Sequence, residues 1–174
     1  MELVLQVLNR MQADGVVDKY AIGGGIAAVY YIEPYQTDDL DIFIPVSAVR
    51  TGEAGLVSLD PVYSYLTRLG YQAVNEGVLI EDWLVQFIPT LHNVQEDALV
   101  NARTVSYGQT KTAIFSPEFL AAELLRSGRP KDLVRVAELL ESEKLDKDTF
   151  REIITRHDLT KKWAEFVRRF DQEG

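Results

Sequence analysis

Asp39 and Asp41 open an apolar, β-branched and aromatic run, Leu40-Asp41-Ile42-Phe43-Ile44, closed by Pro45. In a strand, side chains two residues apart share a face and lie ~6.6 Å apart along the backbone. The spacing therefore sends Asp39 and Asp41 to one face and Leu40 and Ile42 to the other. Two carboxylates so placed repel each other unless a cation lies between them. Mg²⁺ suits that position, because it takes few protein carboxylates and keeps sites for water and substrate phosphates. Two such ions ~3.5–4 Å apart can hold the attacking and leaving oxygens of an in-line phosphoryl displacement.

Gly23-Gly24-Gly25 precedes this pair, with thirteen residues between Gly25 and Asp39. A glycine-rich turn leading into a helix offers unobstructed backbone N–H groups and a positive dipole end to a phosphate. Thirteen residues suffice for one short helix and a return to the neighbouring strand, so both features can face one nucleoside triphosphate. The same glycines fit a dinucleotide-binding fingerprint, Gly23-x-Gly25-x-x-Ala28 with Asp41 eighteen residues past Gly23. Against that alternative, the dinucleotide acid ends its strand whereas Asp39 and Asp41 open theirs, and no further βαβ repeats follow. A plain tight turn and a solvated acidic strand end are the bland readings of the two motifs taken separately.

The elements that must position these residues follow from periodicity. Residues 2–13 place Leu3, Val4, Val7, Leu8 and Met11 on one helix face, stopped by Asp14-Gly15. Lys19-Tyr20-Ala21-Ile22 reads as a short buried strand running into the glycines. A short helix over Ile26 to Tyr31 follows, ended by Pro34. After a loop with Gly52 and Gly55, Asp60 reads as an N-cap with Pro61 at the first helical position, and Gly70 ends that helix. Residues 71–75 and 78–90 read as paired strands around Asn75-Glu76-Gly77. A helix near 94–101 and extended segments near 103–107 and 111–115 complete the first part.

From Ser116 the pattern becomes helical. Ser116-Pro117-Glu118 starts a helix that Gly128 stops, Pro130 opens a second and Asp146 caps a third. Leu159, Trp163, Phe166, Val167 and Phe170 form the stripe of a fourth, read as core or a dimer seam. The expectation is an α+β fold with a mixed sheet flanked by helices, residues 1–115 forming the sheet domain and 116–174 a helical domain.

Composition narrows the chemistry. The 174 residues include no cysteine and two histidines, His92 and His157, 65 positions apart. A thiol nucleophile, a zinc-thiolate site and a local His-x-x-His ligand pair are thereby excluded. No apolar run approaches the ~18 residues of a membrane span. Met1 to Leu5 lacks the basic segment of a signal peptide, so the cytoplasm is the expected compartment. The formal charge is −9, concentrated in residues 1–115, which carry six basic and fourteen acidic side chains; residues 116–174 carry twelve and thirteen. Such a balance argues against broad binding of long nucleic acid. Arg126 and Arg129 flank the Gly128 break and read more readily as surface than as cleft residues. Lys131-Asp132 reads equally as a solvated pair or a phosphate contact. His92 reads as a loop residue and His157 as a helix-end residue facing the dipole.

Gly24-Gly25-Ile26-Ala27 followed by Thr37-x-Asp39-Leu40-Asp41 resembles the signature of the nucleotidyltransferase superfamily, the fold of DNA polymerase beta. It is similar to the small prokaryotic members, the minimal nucleotidyltransferases and the abortive-infection toxins of type IV toxin–antitoxin systems. The stretch from Ala121 to Asp132 also looks like a helical motif of that group. The resemblance implies Mg²⁺ held by Asp39 and Asp41, and an NTP bound at Gly23, Gly24, Gly25 and Thr37. It further implies NMP transfer to an acceptor such as a tRNA end, a protein or a small hydroxylated compound, with a protein partner or a second copy as possible company. A third carboxylate belongs on the adjacent strand, where this chain has Gln86. Asp82 shares the face of Gln86 but stands ~13 Å away along the strand. The similar toxins carry a basic residue just before the aspartates, where Glu33-Pro34-Tyr35-Gln36 has none. They also have a lysine where Glu123 stands and a further aspartate where Arg135 stands. A non-catalytic member that binds a nucleotide or a protein partner is therefore the alternative function.

Overall fold

The computed structural model describes residues 1–32, 37, 39–51 and 57–170. Pro34, Asp38 and the loop glycines Gly52 and Gly55 lie outside the described residues, as does the stretch 33–36. In chain order the elements begin with α1 (Glu2–Ala13), β1 (Ala21–Ile22), α2 (Gly24–Tyr31), β2 (Asp39–Ile44), β3 (Arg50–Thr51) and β4 (Val57–Ser58). They continue with α3 (Asp60–Arg68), β5 (Gln72–Val74), β6 (Gly77–Ile80), β7 (Trp83–Pro89), α4 (Asn93–Val100), β8 (Arg103–Tyr107) and β9 (Thr110–Ile114). Four helices close the chain: α5 (Pro117–Ser127), α6 (Pro130–Glu141), α7 (Lys147–Arg156) and α8 (Thr160–Phe170).

Seven strands form one mixed sheet in the order β5-β6-β7-β2-β1-β9-β8, and β3 pairs with β4 in a separate ribbon. β2 runs parallel to β7 and antiparallel to β1, while β1 runs parallel to β9. The α+β expectation is met. The antiparallel β1–β2 pair also removes the dinucleotide-binding alternative, whose βαβ unit needs its two strands parallel.

Alternation in β2 places Leu40 and Ile42 in the core with no exposed surface, while Asp39 is exposed and Asp41 half-buried. Val85 and Phe87 of β7 are likewise buried. The helices α2 and α4 pack against β2, and α5 packs against both of them. Leu120, Ala121 and Ala122 of α5 are wholly buried, and α6, α7 and α8 pack in turn on α5. Phe43 of β2 and Phe115, at the end of β9, meet with ring centroids 4.6 Å apart. One continuous apolar core therefore extends across residue 116.

Two expectations need correction. Residues 78–90 are a hairpin, β6 and β7, because Glu81 turns with φ +53 and Ile80 pairs with Trp83. Two adjacent acidic residues, Glu81 and Asp82, interrupt the apolar run at that turn, and Asp82 stands outside the strand. In α3 the N-cap is Leu59 and Asp60 is the first helical residue, its N–H donating to Ser58 Oγ at 3.2 Å.

Candidate functional site

The parallel pairing of β2 with β7 sets Asp41 directly beside Gln86 and Asp39 beside Leu84. Gln86 thus occupies the neighbouring-strand position where a third carboxylate was expected. Among the described residues no group of three His, Cys, Asp or Glu side chains converges as a metal cluster. Two carboxylates spaced i, i+2 and completed by substrate phosphates nonetheless fit a Mg²⁺ ion, which needs only one or two from the protein.

The glycine turn meets this pair at close quarters. Gly23 is the N-cap of α2, and its N–H donates to the Asp41 carbonyl at 3.0 Å. Gly24 has φ +55, and a Cβ built on it would fall 1.7 Å from Asp41 Oδ2. Only glycine satisfies both demands, a left-handed backbone and the space taken by the carboxylate. The Gly25 N–H donates to the Asp41 carboxylate. The positive start of α2 is thus turned on Asp41 itself. A Cβ on Gly25 would lie 2.9 Å from Thr37 Oγ1 and 3.3 Å from Arg135 Nη2. Thr37 Oγ1 in turn donates to the Asp39 carbonyl at 3.4 Å.

Burial pushes the Asp41 carboxyl above the usual carboxylate range, and the nearby Asp39 charge adds to the rise. Arg129, the Gly25 N–H and Lys131 oppose it. The two cations belong to the start of α6, which packs against α2.

This contribution of α6 is what sequence reasoning underweighted. Asp132, which could have been a solvated partner of Lys131, is completely buried. It accepts from Ser127 Oγ at 2.7 Å, from Arg129 Nε at 2.6 Å and from Arg135 Nη1 at 3.4 Å. Arg129 stays more than half exposed while it pairs with Asp132, and its charge also acts on Asp41. The signal was present as an i, i+3, i+6 row of Arg129, Asp132 and Arg135 on one side of a helix.

Other singled-out residues lie in separate structures. Arg126 pairs with the buried Glu123, Nε to Oε2 at 2.7 Å, and Gln95 donates to the same carboxylate at 2.8 Å. His92 is the N-cap of α4, with a reciprocal capping box through Gln95. His157 caps the end of α7 and lies 3.1 Å from Asp97 Oδ2. Tyr31 packs and donates to the Phe115 carbonyl at 2.8 Å, burial pushing its hydroxyl up to about 12. Trp163, Phe166 and Phe170 stack along α8.

The architecture that holds this arrangement recurs in solved proteins. An antigenic nucleotidyltransferase-like protein from Paracoccidioides brasiliensis superposes with a TM-score of 0.61, covering 97% of this chain and 88% of its own at 17% identity. The chain has a nucleotidyltransferase-like fold. ANT(2″)-Ia, solved in complex with adenylyl-2″-tobramycin, shares it with a TM-score of 0.50, covering 95% of this chain and 98% of its own at 15% identity. No family model matches the sequence, and no curated relative does. No helix among the described residues is long and apolar enough to cross a membrane.

Proposed function

We propose that the protein transfers a nucleotidyl group from an NTP to a hydroxylated acceptor, with Mg²⁺ held by Asp39 and Asp41. The observation that carries this reading is a convergence: Asp41, its neighbour Asp39, the start of α2 and the cations of α6 meet at one place. Its location on a nucleotidyltransferase-like fold supports the same chemistry. Mg²⁺ held there by Asp39 and Asp41 would supply neutralisation of the phosphate charge.

The chain's own residues do the rest. The Gly23–Gly25 turn and Thr37 line the phosphate side, and Arg129 and Lys131 attract the anionic tail. The acceptor oxygen bonds to the α-phosphorus, the bond from that phosphorus to the bridging oxygen breaks, and pyrophosphate leaves. Gln86 can orient the acceptor by hydrogen bonding but takes no proton, and with Asp39 and Asp41 holding the metal the acceptor's proton passes to solvent water. Residues 1–115 supply the carboxylates and residues 116–174 the cations, which is the functional sense of the two-part division. A reaction that consumes NTP belongs in the cytoplasm. ANT(2″)-Ia is solved in complex with adenylyl-2″-tobramycin, so a small hydroxylated acceptor is the first class to test, ahead of a tRNA end or a protein.

One observation favours a second reading. Gln86 stands beside Asp41 where a carboxylate would activate the acceptor, which fits a protein that binds nucleotide, or a partner of the toxin–antitoxin kind, without turnover.

Thermal unfolding with ATP, GTP, CTP and UTP, with and without Mg²⁺, tests the site. A nucleotide at ~100 times its Kd contributes ~2.7 kcal/mol, a Tm rise of roughly 5–11 °C for a chain of this size. The expected result is a Mg²⁺-dependent rise that Asp39→Asn/Asp41→Asn loses. No rise with any nucleotide refutes the reading. Labelled NMP on an acceptor separates transfer from binding; activity appearing only in Gln86→Glu establishes the second reading.

A further inference from the structure

We propose that β8 is the seam of a homodimer, in which two copies of the chain join their sheets by antiparallel pairing of this strand about a two-fold axis at Val105. The proposal does not depend on the nucleotide reading.

Both ends of the sheet are strand edges. Among the described residues β5 and β8 are the terminal strands, and a terminal strand carries a row of N–H and C=O groups without sheet partners. The fold treats the two ends differently. β5 is three residues long, and shortness is one way of blunting an edge. β8 has five residues in unbroken register with β9, from Arg103↔Ile114 to Tyr107↔Thr110. It is exposed along its length save for the half-buried Val105. It holds no proline, lysine or acid, and Thr104, Val105 and Tyr107 are strong strand formers. Arg103 is its only charge, and Glu118 engages that charge at 3.2 Å.

The residues of β8 complement themselves. A two-fold contact sets residue i against j and j against i. About Val105 that rule places Arg103 of one copy opposite Tyr107 of the other, Thr104 opposite Ser106, and Val105 opposite Val105. Each pair is favourable across an antiparallel ladder: a guanidinium on an aromatic ring, a hydroxyl with a hydroxyl, a β-branched side chain with its like. Thr104 and Ser106 are two residues apart and share one hydrogen-bonding phase, and so do Arg103, Val105 and Tyr107. Mates across the axis therefore agree in phase, as an antiparallel ladder requires. Tyr107, large and exposed, gains cover from Arg103 and Val105 of the other copy. It does so at the rim of an apolar depression of about 250 Å³, which Val105 and Tyr107 line together with Tyr30 and Trp83.

Charge points to the same occupant. A chain of formal charge −9 repels its own copies over most of its surface. The twenty residues between Asp97 and Glu118 form its longest stretch without an acid, and they hold β8 and β9. Glu2 reaches the tip of this hairpin, where it accepts from the Gln109 N–H and the Thr110 hydroxyl, both at 3.1 Å. Two strands, β9 and β1, separate β8 from β2, so the seam lies away from Asp39 and Asp41.

Light scattering and sedimentation of the full chain test the seam. Twice the chain mass is expected at about 100 µM, where a micromolar dimer is formed. Thr104→Lys/Ser106→Lys and Thr104→Glu/Ser106→Glu each set like charges opposite each other, and each is expected to be monomeric. Mixed together they set lysine against glutamate and are expected to form a one-to-one heterodimer, which separates loss of pairing from loss of fold. Tyr107→Ala removes a contact at both ends of the ladder and should weaken dimerisation about tenfold. The chain has no cysteine, so Val105→Cys supplies a single thiol on the axis. Mild oxidation is expected to cross-link that variant and to leave Val74→Cys, on β5, uncoupled; this comparison decides if the charge variants do not fold. A wild type that stays monomeric, as it would if another segment or a different protein covered β8, overturns the proposal. So does a dimer that both charge variants retain, a mixture of them that stays monomeric, or cross-linking through Val74→Cys rather than Val105→Cys.

Discussion

At Gly24 two separate demands fall on one atom that is absent. The φ of +55 disfavours any side chain, and the space a Cβ would need is taken by Asp41 Oδ2. Gly24→Ala is expected to destabilise the fold by about 2–3 kcal/mol, from backbone strain and displacement of the carboxylate together. Asp41→Ala in the same chain should recover the second part and not the first, a coupling that denaturant unfolding of the four variants would reveal. Asp41 itself has a pH signature. Because its carboxyl titrates above the usual range, the charged form is penalised by folding, and the penalty grows as pH rises through that raised value. Asp41→Asn should therefore raise Tm at pH 7, and the gain should vanish below the ordinary carboxylate pKa of ~3.9, where both chains are neutral at this position. An equal gain at both pH values would show that Asp41 ionisation is not what the fold opposes.

At the scale of elements, burial rather than spacing decides what a charged pair contributes. Arg129–Asp132 and Asp148–Arg151 are both three residues apart on helices with short contacts, 2.6 Å and 2.7 Å. Asp132 is fully buried whereas both members of the second pair are exposed. Asp132→Ala should cost about 1–3 kcal/mol, because the half-buried Ser127 hydroxyl and the largely buried Arg135 guanidinium each lose an acceptor, while Asp148→Ala should leave the unfolding midpoint nearly unchanged. The same distinction explains what could be read beforehand. Helix limits were legible wherever local chemistry sets them: α1 stops at Asp14-Gly15, Ser116 caps α5 and Gly128 ends it with φ +69, and Asp146 caps α7 through the Thr149 N–H. Asp39, Asp41 and Gln86 were legible because strand alternation and a neighbouring strand fix their faces. The turn at Glu81-Asp82 was not, since apolar residues flank it on both sides and only the pairing of Ile80 with Trp83 reveals the reversal. The role of Asp132 was hidden because its burial is created by α5 and α6 packing together, a tertiary fact that charge patterning on one helix does not carry.

Across the whole molecule, chemistry and stability divide the chain differently. The charge balance changes at residue 116, and so does the proposed division of labour between carboxylates and cations. The core does not change there. Leu120, Ala121, Leu124 and Leu125 of α5 are buried in the same cluster as Ala27, Ala28 and Phe115, and Tyr31 reaches across to the Phe115 carbonyl just before α5 begins. The helix α5 is the wall on which α2 and α4 close, so removing it uncovers the faces that hold the glycine turn against Asp41. Two independent domains would each need a core of their own, and here the central helix belongs to both parts. The full chain is therefore expected to unfold in one transition, coincident in near- and far-ultraviolet circular dichroism, as a single cooperative unit does. A fragment of residues 1–115 should keep some secondary structure yet lose fixed aromatic packing and bind the dye ANS, the marks of a compact state without specific tertiary contacts. Two separated transitions in the full chain, or a fragment with native near-ultraviolet bands, would instead make the helical part an appendage. In that case the cations of α6 could move relative to Asp41. Under a single transition they are held beside it before any nucleotide arrives, and the site is preorganised by the same packing that keeps the fold together.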